Sequence, residues 1–251
     1  MMDKALLSDV AVLLVARFDS LQRLENALLV SEYIANSFDT KIHLWEFDSH
    51  NNGLFQRLRP EAVNYAFVKD RDPILHRTRF INMMLDQISE PYVAIWDVDI
   101  LVPVNQVVES VEKLRNGIDF VYPYEHHFYD TSEALRQLYI ETKDINTLAQ
   151  YKDFMNELYA PNPVGGVFLA NRESYINTGM ENELFYGWGV EDGERYYRWK
   201  GKRKKIERVK GPLFHLSHPR GINSHIVTTD DSITKNRLRL KAIRGIRWNE
   251  N

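Results

Sequence analysis

Residues 10–16, Val-Ala-Val-Leu-Leu-Val-Ala, form an unbroken apolar run. A strand covered on one face alternates apolar and polar residues, whereas one covered on both faces stays apolar throughout. The chain must therefore place material on both sides of a central sheet. The next segment can supply it. Asp19 and Ser20 offer N-caps, and Leu21, Leu24 and Leu28 recur at helical spacing, so the pattern predicts a helix over 20–36. Strands are expected at 41–47, ended by Asp48 and a turn-like 49–53, and at 63–68. A helix over 74–89 carries Ile74, Phe80, Ile81, Met84, Leu85 and Ile88, and a strand at 92–96 comes after it. Pro103 then opens a helix over 104–116 with Val104, Val107, Val108, Val111 and Leu114 on one side, before a strand at 118–122. Strands alternating with helices predict an α/β fold with a mostly parallel central sheet flanked by helices. In such sheets, ligands sit beyond the carboxyl ends of the strands.

The second half is less regular. Residues 132–158 are polar and helix-prone, and 161–166, Pro-Asn-Pro-Val-Gly-Gly, read as a loop before a strand at 167–170. A helix at 191–200 and short strands at 206–209 and 213–216 complete it. No linker divides the 251 residues, so one domain with two functional halves is expected, 1–123 and 124–234, followed by a basic tail, 235–251. In that tail Lys235, Arg237, Arg239, Lys241, Arg244 and Arg247 accompany Leu240, Ile243 and Ile246. Either the tail is an amphipathic helix packed on its own domain, or it touches an anionic membrane surface. The run 200–205 reads as a solvated turn.

Charge and composition narrow the function. Lys and Arg number 32 against 35 Asp and Glu, a net charge of −3, which argues against a general nucleic-acid binder. There is no cysteine, which excludes disulfides and thiolate metal sites. No apolar run is long enough to span a bilayer, and the first residues lack a signal-peptide pattern, so a cytoplasmic location is expected.

Three groups of residues could carry chemistry. Asp97-Val98-Asp99 ends the apolar strand 92–96, where two carboxylates can hold a divalent cation and, through it, nucleotide phosphates. The bland alternative is a turn-forming pair ahead of helix 104–116. A second such triplet, Asp70-Arg71-Asp72, lies in a polar stretch and reads as a solvated loop. His215 and His218 follow a short strand and can reach one metal from a bent segment, although two histidines in a loop are often only surface residues. Glu125, His126, His127 and Asp130 compete with them and read as an acceptor-side loop or plain surface. Third, Gly187-Trp188-Gly189-Val190-Glu191-Asp192 projects a large ring from a tight backbone just before two carboxylates. These acids either favour a helix N-terminus or form a sugar platform beside a general base.

In this order, the segments 96–103, Gly165-Gly166-Val167-Phe168, 187–192 and 215–220 resemble a GT-A-fold glycosyltransferase. The resemblance is closest to the β-1,4-galactosyltransferase C-terminal domain and bacterial inverting family 2-like relatives. Weaker similarity covers 15–20 and 76–82. The resemblance implies Asp99, His215 and His218 as metal ligands, and Asp97 near the ribose and metal shell. It places Arg17, Asp48, Arg77, Trp188 and Arg220 at the donor, with Asp48 meeting the uridine. Gly165, Gly166, Trp188 and Glu191 would meet the acceptor, and Asp192 would be the catalytic base. His215 stands where animal galactosyltransferases use a Met ligand, which hardens the site and extends the expected metal from Mn²⁺ to Mg²⁺. The family's acidic run after the Trp continues Asp-Asp, whereas here Gly193 and Glu194 come next.

The implied activity is inverting, metal-dependent transfer of a hexose, galactose or N-acetylgalactosamine, from a UDP-sugar. The implied acceptor is a saccharide or lipid-linked oligosaccharide, in bacterial surface-polysaccharide synthesis at the inner membrane face. Two other classes compete. A non-catalytic nucleotide-sugar or glycan-binding module would bind without turnover. A metal-dependent phosphoester hydrolase or nucleotidyltransferase would need a second metal's ligands or a phosphate-cradling glycine loop, and 16–20 contain no glycine.

Overall fold

The apolar run lies at the centre of a seven-stranded sheet. The computed structural model describes residues 4–225 and 229–248. In chain order the first half contains β1 (Ala5–Ala16), α1 (Leu21–Ser37), β2 (Phe38–Asp48), α2 (Leu54–Leu58), β3 (Val63–Lys69), α3 (Arg77–Leu85), β4 (Tyr92–Trp96), β5 (Ile100–Leu101), α4 (Val104–Arg115) and β6 (Phe120–Tyr122). The second half contains β7 (Phe128–Asp130), α5 (Glu133–Thr142), α6 (Ile145–Gln150), β8 (Asn156–Glu157), β9 (Val167–Asn171), α7 (Arg172–Asn177), α8 (Glu191–Gly201), β10 (Ile206–Arg208), β11 (Leu213–His215) and α9 (Thr229–Trp248).

The large sheet has the order β10-β6-β9-β4-β1-β2-β3. β1 pairs in parallel with both β2 and β4, and β2 with β3. β9 alone runs against its neighbours, β4 and β6. Strands from both halves of the sequence thus share one sheet, and the expected mostly parallel α/β architecture is present. Helix faces bury against it as the spacing predicts: Leu24, Ala27 and Ile34 of α1, and Val107, Val111 and Leu114 of α4. Ser20 caps α1 by accepting a hydrogen bond from the Arg23 amide at 3.2 Å. Stacked rings seat two more helices. Phe80 of α3 lies 3.7 Å, centroid to centroid, over Phe47, and Trp199 of α8 lies 3.7 Å over Phe120. Such pairs add about 0.5–1.5 kcal/mol each beyond the area they bury.

Several expectations change. The helix expected over 74–89 spans Arg77–Leu85, and the amides just before it are taken by side chains: Ile74 donates to Asp72 Oδ1 (2.9 Å) and Leu75 to Asn223 Oδ1 (2.8 Å). Arg17 donates to the carbonyls of Asp72 (2.8 Å) and Pro73 (3.0 Å) and to Asp70 Oδ2 (2.6 Å). The Asp70–Asp72 loop is therefore anchored, not simply solvated. The helix-prone stretch 132–158 divides at Lys143, which adopts a left-handed conformation (φ 53°), and Asp144 then caps α6. It ends in a strand, β8, that belongs to a second sheet of order β5-β11-β7-β8. Through Trp248 the tail belongs to helix α9, which packs against α8. Among its described side chains Lys235 is buried, whereas Leu240 is 51% exposed; the side chains of Arg244, Ile246 and Arg247 lie outside the described residues.

Candidate functional site

The small second sheet builds the centre of the site. β11 pairs antiparallel with β5, setting His215 opposite Ile100, and parallel with β7, setting His215 opposite Asp130. One ladder thus carries His215 to the residue after Asp99. The Leu216 amide donates to the Asp99 carbonyl (2.8 Å), and the Trp96 indole N–H donates to the Ile100 carbonyl (2.8 Å), closing the turn that bears Asp97 and Asp99.

Asp99, His215 and His218 converge, each with a ligand atom within 4.8 Å of the others. Among the described residues they form the group with metal-ligand geometry. His218 Nε2 is 3.2 Å and His215 Nε2 3.6 Å from Asp99 Oδ2. The other ring nitrogens are occupied. His215 Nδ1 donates to Asp130 Oδ1 (2.7 Å) and His218 Nδ1 to the Pro219 carbonyl (2.9 Å). With the proton on Nδ1, both Nε2 lone pairs face a carboxylate, and only a cation reconciles three acceptors. Without a metal, a proton takes that part. Burial disfavours the His215 charge, but Asp99 and Asp130 outweigh it and push its pKa up to about 9. Asp99 is held well below the usual carboxylate range, burial being overcome by His215 and His218.

These residues open on a cavity of about 290 Å³. On another wall stand four further charged groups. Arg77 is ion-paired with Asp97. Burial, reinforced by Asp99 and Asp192, raises Asp97 to about 6 against the pull of Arg77. Glu191, the first residue of α8, is raised to about 7 by burial and then by the charge of Asp192. Its Oε2 is buried without a hydrogen-bond partner. Asp192 has a fixed position: Arg195 donates to its Oδ1 at 2.6 Å. Arg195 is fully buried, with Glu181 bridging its Nη1 at 2.9 and 3.0 Å and the Phe168 ring 4.3 Å from its guanidinium carbon.

Glycines allow the close approaches. A Cβ on Gly165 would stand 2.6 Å from Asp192 Oδ2. Gly166 (φ 80°) would place one 3.0 Å from the Phe128 ring, and its carbonyl accepts from the Asp97 amide (2.9 Å). The Gly187-Trp188-Gly189 turn continues into Val190, a β-branched residue at φ 72° and therefore strained. Lys235 of α9 supports that turn by donating to the Trp188 carbonyl at 2.7 Å while paired with Asp231 at 2.9 Å.

Of the residues singled out in the sequence, Arg17, Arg77, Asp97, Asp99, Gly165, Gly166, Trp188, Glu191, Asp192, His215, His218 and Arg220 all line this cavity. Asp48 does not; its Oδ1 accepts from the Ser49 amide at 2.6 Å. Arg17 is spent on backbone and on Asp70, so it shapes the wall. The Glu125–Asp130 cluster separates: His127 meets Glu157 (2.9 Å), His126 meets the Pro161 carbonyl (3.0 Å), and Asp130 alone reaches the metal-ligand group. Sequence reasoning missed Asp130 in that role, together with Glu181, Arg195, Tyr159 and Lys235. The Phe-Tyr-Asp strand 128–130 was the available signal for Asp130, but three residues carry too little periodicity to use.

Residues 148–220 match a family model described as the N-terminal domain of galactosyltransferase. Over 124 residues the chain is 32% identical to beta-1,4-galactosyltransferase 7 of mouse and of human. That match covers 49% of this chain and spans only 28% of the length of those relatives. The catalytic domain of the Drosophila beta-1,4-galactosyltransferase 7, solved with xylobiose, superposes with a TM-score of 0.56 at 16% identity, covering 90% of this chain and 79% of that one. Glucosyl-3-phosphoglycerate synthase from Mycobacterium tuberculosis, solved with Mn²⁺, UDP-glucose and glycerol 3-phosphate, gives 0.51 at 16%, covering 94% and 78%. In fold the chain is of the GT-A type, and residues 148–220 are galactosyltransferase-like in sequence.

Proposed function

We propose that the chain is an inverting, metal-dependent glycosyltransferase that moves a hexose, galactose or N-acetylgalactosamine, from a UDP-sugar to a saccharide acceptor, as a single domain. One observation carries this reading. A carboxylate–imidazole group with both Nδ1 atoms already engaged shares a cavity with Asp192, a carboxylate fixed by a buried arginine. The Drosophila relative solved with manganese, UDP-Gal and xylobiose supports the donor and metal classes.

Asp99, His215 and His218 would hold Mn²⁺ or Mg²⁺, which supplies positive charge to the diphosphate as it departs. Asp97 and Arg77 bound the donor side, and Arg220, beside Tyr159, adds a cation there. Asp192 Oδ1 is taken by Arg195, so Oδ2 is the basic atom. It accepts the proton of an acceptor hydroxyl. The oxygen so freed forms a bond to the anomeric carbon, the bond from that carbon to the UDP phosphate oxygen breaks, and UDP leaves with the electron pair. Attack opposite the leaving group inverts the centre. General-base catalysis of this kind contributes about 10²- to 10⁴-fold. Glu191 and the Trp188 ring would receive the acceptor sugar, the ring by stacking.

The setting belongs to the same proposal: a lipid-linked acceptor of a bacterial surface polysaccharide, reached from the cytoplasm. The resemblance supports it, and exposed Ile233 and Leu240 on α9 offer a contact for the membrane. The test is UDP release from UDP-Gal, UDP-GalNAc, UDP-Glc and UDP-GlcNAc, with Mn²⁺ or with EDTA. Metal-dependent release from one donor, lost in Asp99→Ala and reduced at least about a hundredfold in Asp192→Asn, is expected. Metal-dependent UDP binding with no release from any donor would make the chain a binding module instead.

A further inference from the structure

A second hollow, of about 440 Å³, adjoins the first: Asn162, Val164 and Val190 line both. Its remaining wall comes from Gly193, Tyr196, Tyr197 and Lys200 of α8 and from Arg239 of α9. No carboxylate lines it. Among the described residues, neither Lys200 nor Arg239 forms an ion pair; Lys200 instead hangs its Nζ 5.5 Å from the Tyr196 ring centroid. Lys200 and Arg239 thus bring two cations beside two half-buried tyrosines, with no acid on the wall between them.

Gly193 connects this hollow to the reaction. It comes directly after Asp192, and a Cβ there would meet Arg239 Cδ and Nε at 3.7 Å. The arginine stem thus lies within reach of a side chain at the position after Asp192. An acidic side chain at this position, where the sequence departs from the galactosyltransferase pattern, would neutralise Arg239 in place. The volume suits one or two sugar rings.

We propose that this hollow is an acceptor subsite for an acidic sugar, one bearing a carboxylate or phosphate next to the unit that presents its hydroxyl to Asp192. Tyr196 and Tyr197 face the sugar ring, and Lys200 and Arg239 take the anion. The inference rests on the transferase reading for the word acceptor, but not for the binding itself.

The test compares cellobiose, its uronic acid and its 6-phosphate by ligand-observed NMR on the chain saturated with UDP and Mn²⁺. The charged probes are expected to bind about tenfold more tightly than cellobiose at low salt. The tighter of the two identifies the anion. That advantage should vanish in the Lys200→Gln/Arg239→Gln double variant and in Gly193→Asp, a substitution that suits a helix N-terminus, both with unchanged unfolding midpoints. Equal binding of neutral and charged probes, or an advantage that survives the double variant, overturns the proposal. Charge-selective binding without donor turnover overturns the transferase reading and leaves the subsite standing.

Discussion

Replacing Gly165 with alanine perturbs Asp192, the base of the proposed reaction, without substituting it. Gly165 does not need a left-handed backbone, so alanine is conformationally allowed there and the effect is steric alone. The new Cβ would lie 2.6 Å from Asp192 Oδ2, and an ordinary contact begins at 3.4 Å. Something must yield by about 0.8 Å. The loop resists: Tyr124 donates to the Gly165 carbonyl (2.6 Å), and the next carbonyl accepts from the Asp97 amide (2.9 Å). Asp192 resists as well, since Arg195 holds its other oxygen and is itself clamped by Glu181. The carboxylate is the smaller body, so it rotates away from the acceptor. A displacement near 1 Å at a reacting group costs about a hundredfold. Steady-state transfer measured beside UDP affinity checks this. A fall of about a hundredfold in kcat with UDP affinity within twofold of wild type is expected. A variant that keeps more than half the wild-type rate refutes the contact, and one that loses UDP binding refutes the division between donor and base walls.

Three further substitutions probe other parts of the site. Asp130→Asn removes the carboxylate behind His215 and should weaken Mn²⁺ binding about 10- to 100-fold in a metal titration, with the fold retained; unchanged affinity would detach Asp130 from the ligand group. Arg195→Met leaves Glu181 charged and buried, with Tyr175 as its remaining partner, and should cost about 3–5 kcal/mol in urea unfolding; a cost under 1 kcal/mol would contradict the buried network. Glu191 has a pKa raised from 4.5 to about 7, so ionisation is costly in the folded state. Its penalty is absent below about pH 4.5, grows as pH rises to about 7, and is then constant at roughly 3 kcal/mol. The stability of wild type relative to Glu191→Gln should therefore fall across that window, and parallel stability–pH curves would show that Glu191 does not titrate there.

What the sequence revealed was local. The apolar run 10–16 had the pattern of a strand covered on both faces, and the glycines around Trp188 stood one residue before the acids that open α8. Asp97 follows the last residue of β4 and His215 ends β11, so short apolar segments placed both at strand ends, with Asp99 and His218 close behind. What stayed hidden depends on pairing across long separations. β5 and β7 are two and three residues long, too short for a period of two to register. Only their ladders with β11 bring Asp130, 85 residues away, to His215. The resemblance set Arg17 at the donor end, and it lines the cavity, but nothing in sequence shows that its guanidinium also anchors the Asp70–Pro73 loop. Lys235 belonged to a basic tail, and its burial against the Trp188 carbonyl results from α9 lying on α8. Asp48 ended a strand on the ligand side of the sheet yet turned to its own neighbour, as Asp before Ser in a turn does.

Four carboxylates surround one cavity, and their partners tell them apart. Asp97 answers Arg77, Asp99 answers two imidazoles, and Asp192 answers Arg195. Glu191 has no such cation of its own; burial and the neighbouring Asp192 charge drive it toward the neutral acid. Two adjacent acids thus meet different environments at the start of one helix. A carboxyl group near neutrality can either donate or accept a hydrogen bond, which suits a sugar hydroxyl that must be held without being deprotonated. A carboxylate whose charge is balanced from behind by a buried guanidinium has its free oxygen directed into the cavity, which suits proton abstraction. The strained Val190 immediately before them fixes where the helix begins. The helix start sets which acid faces Arg195. The chemistry assigned to Glu191 and Asp192 is therefore a consequence of helix register rather than of residue type.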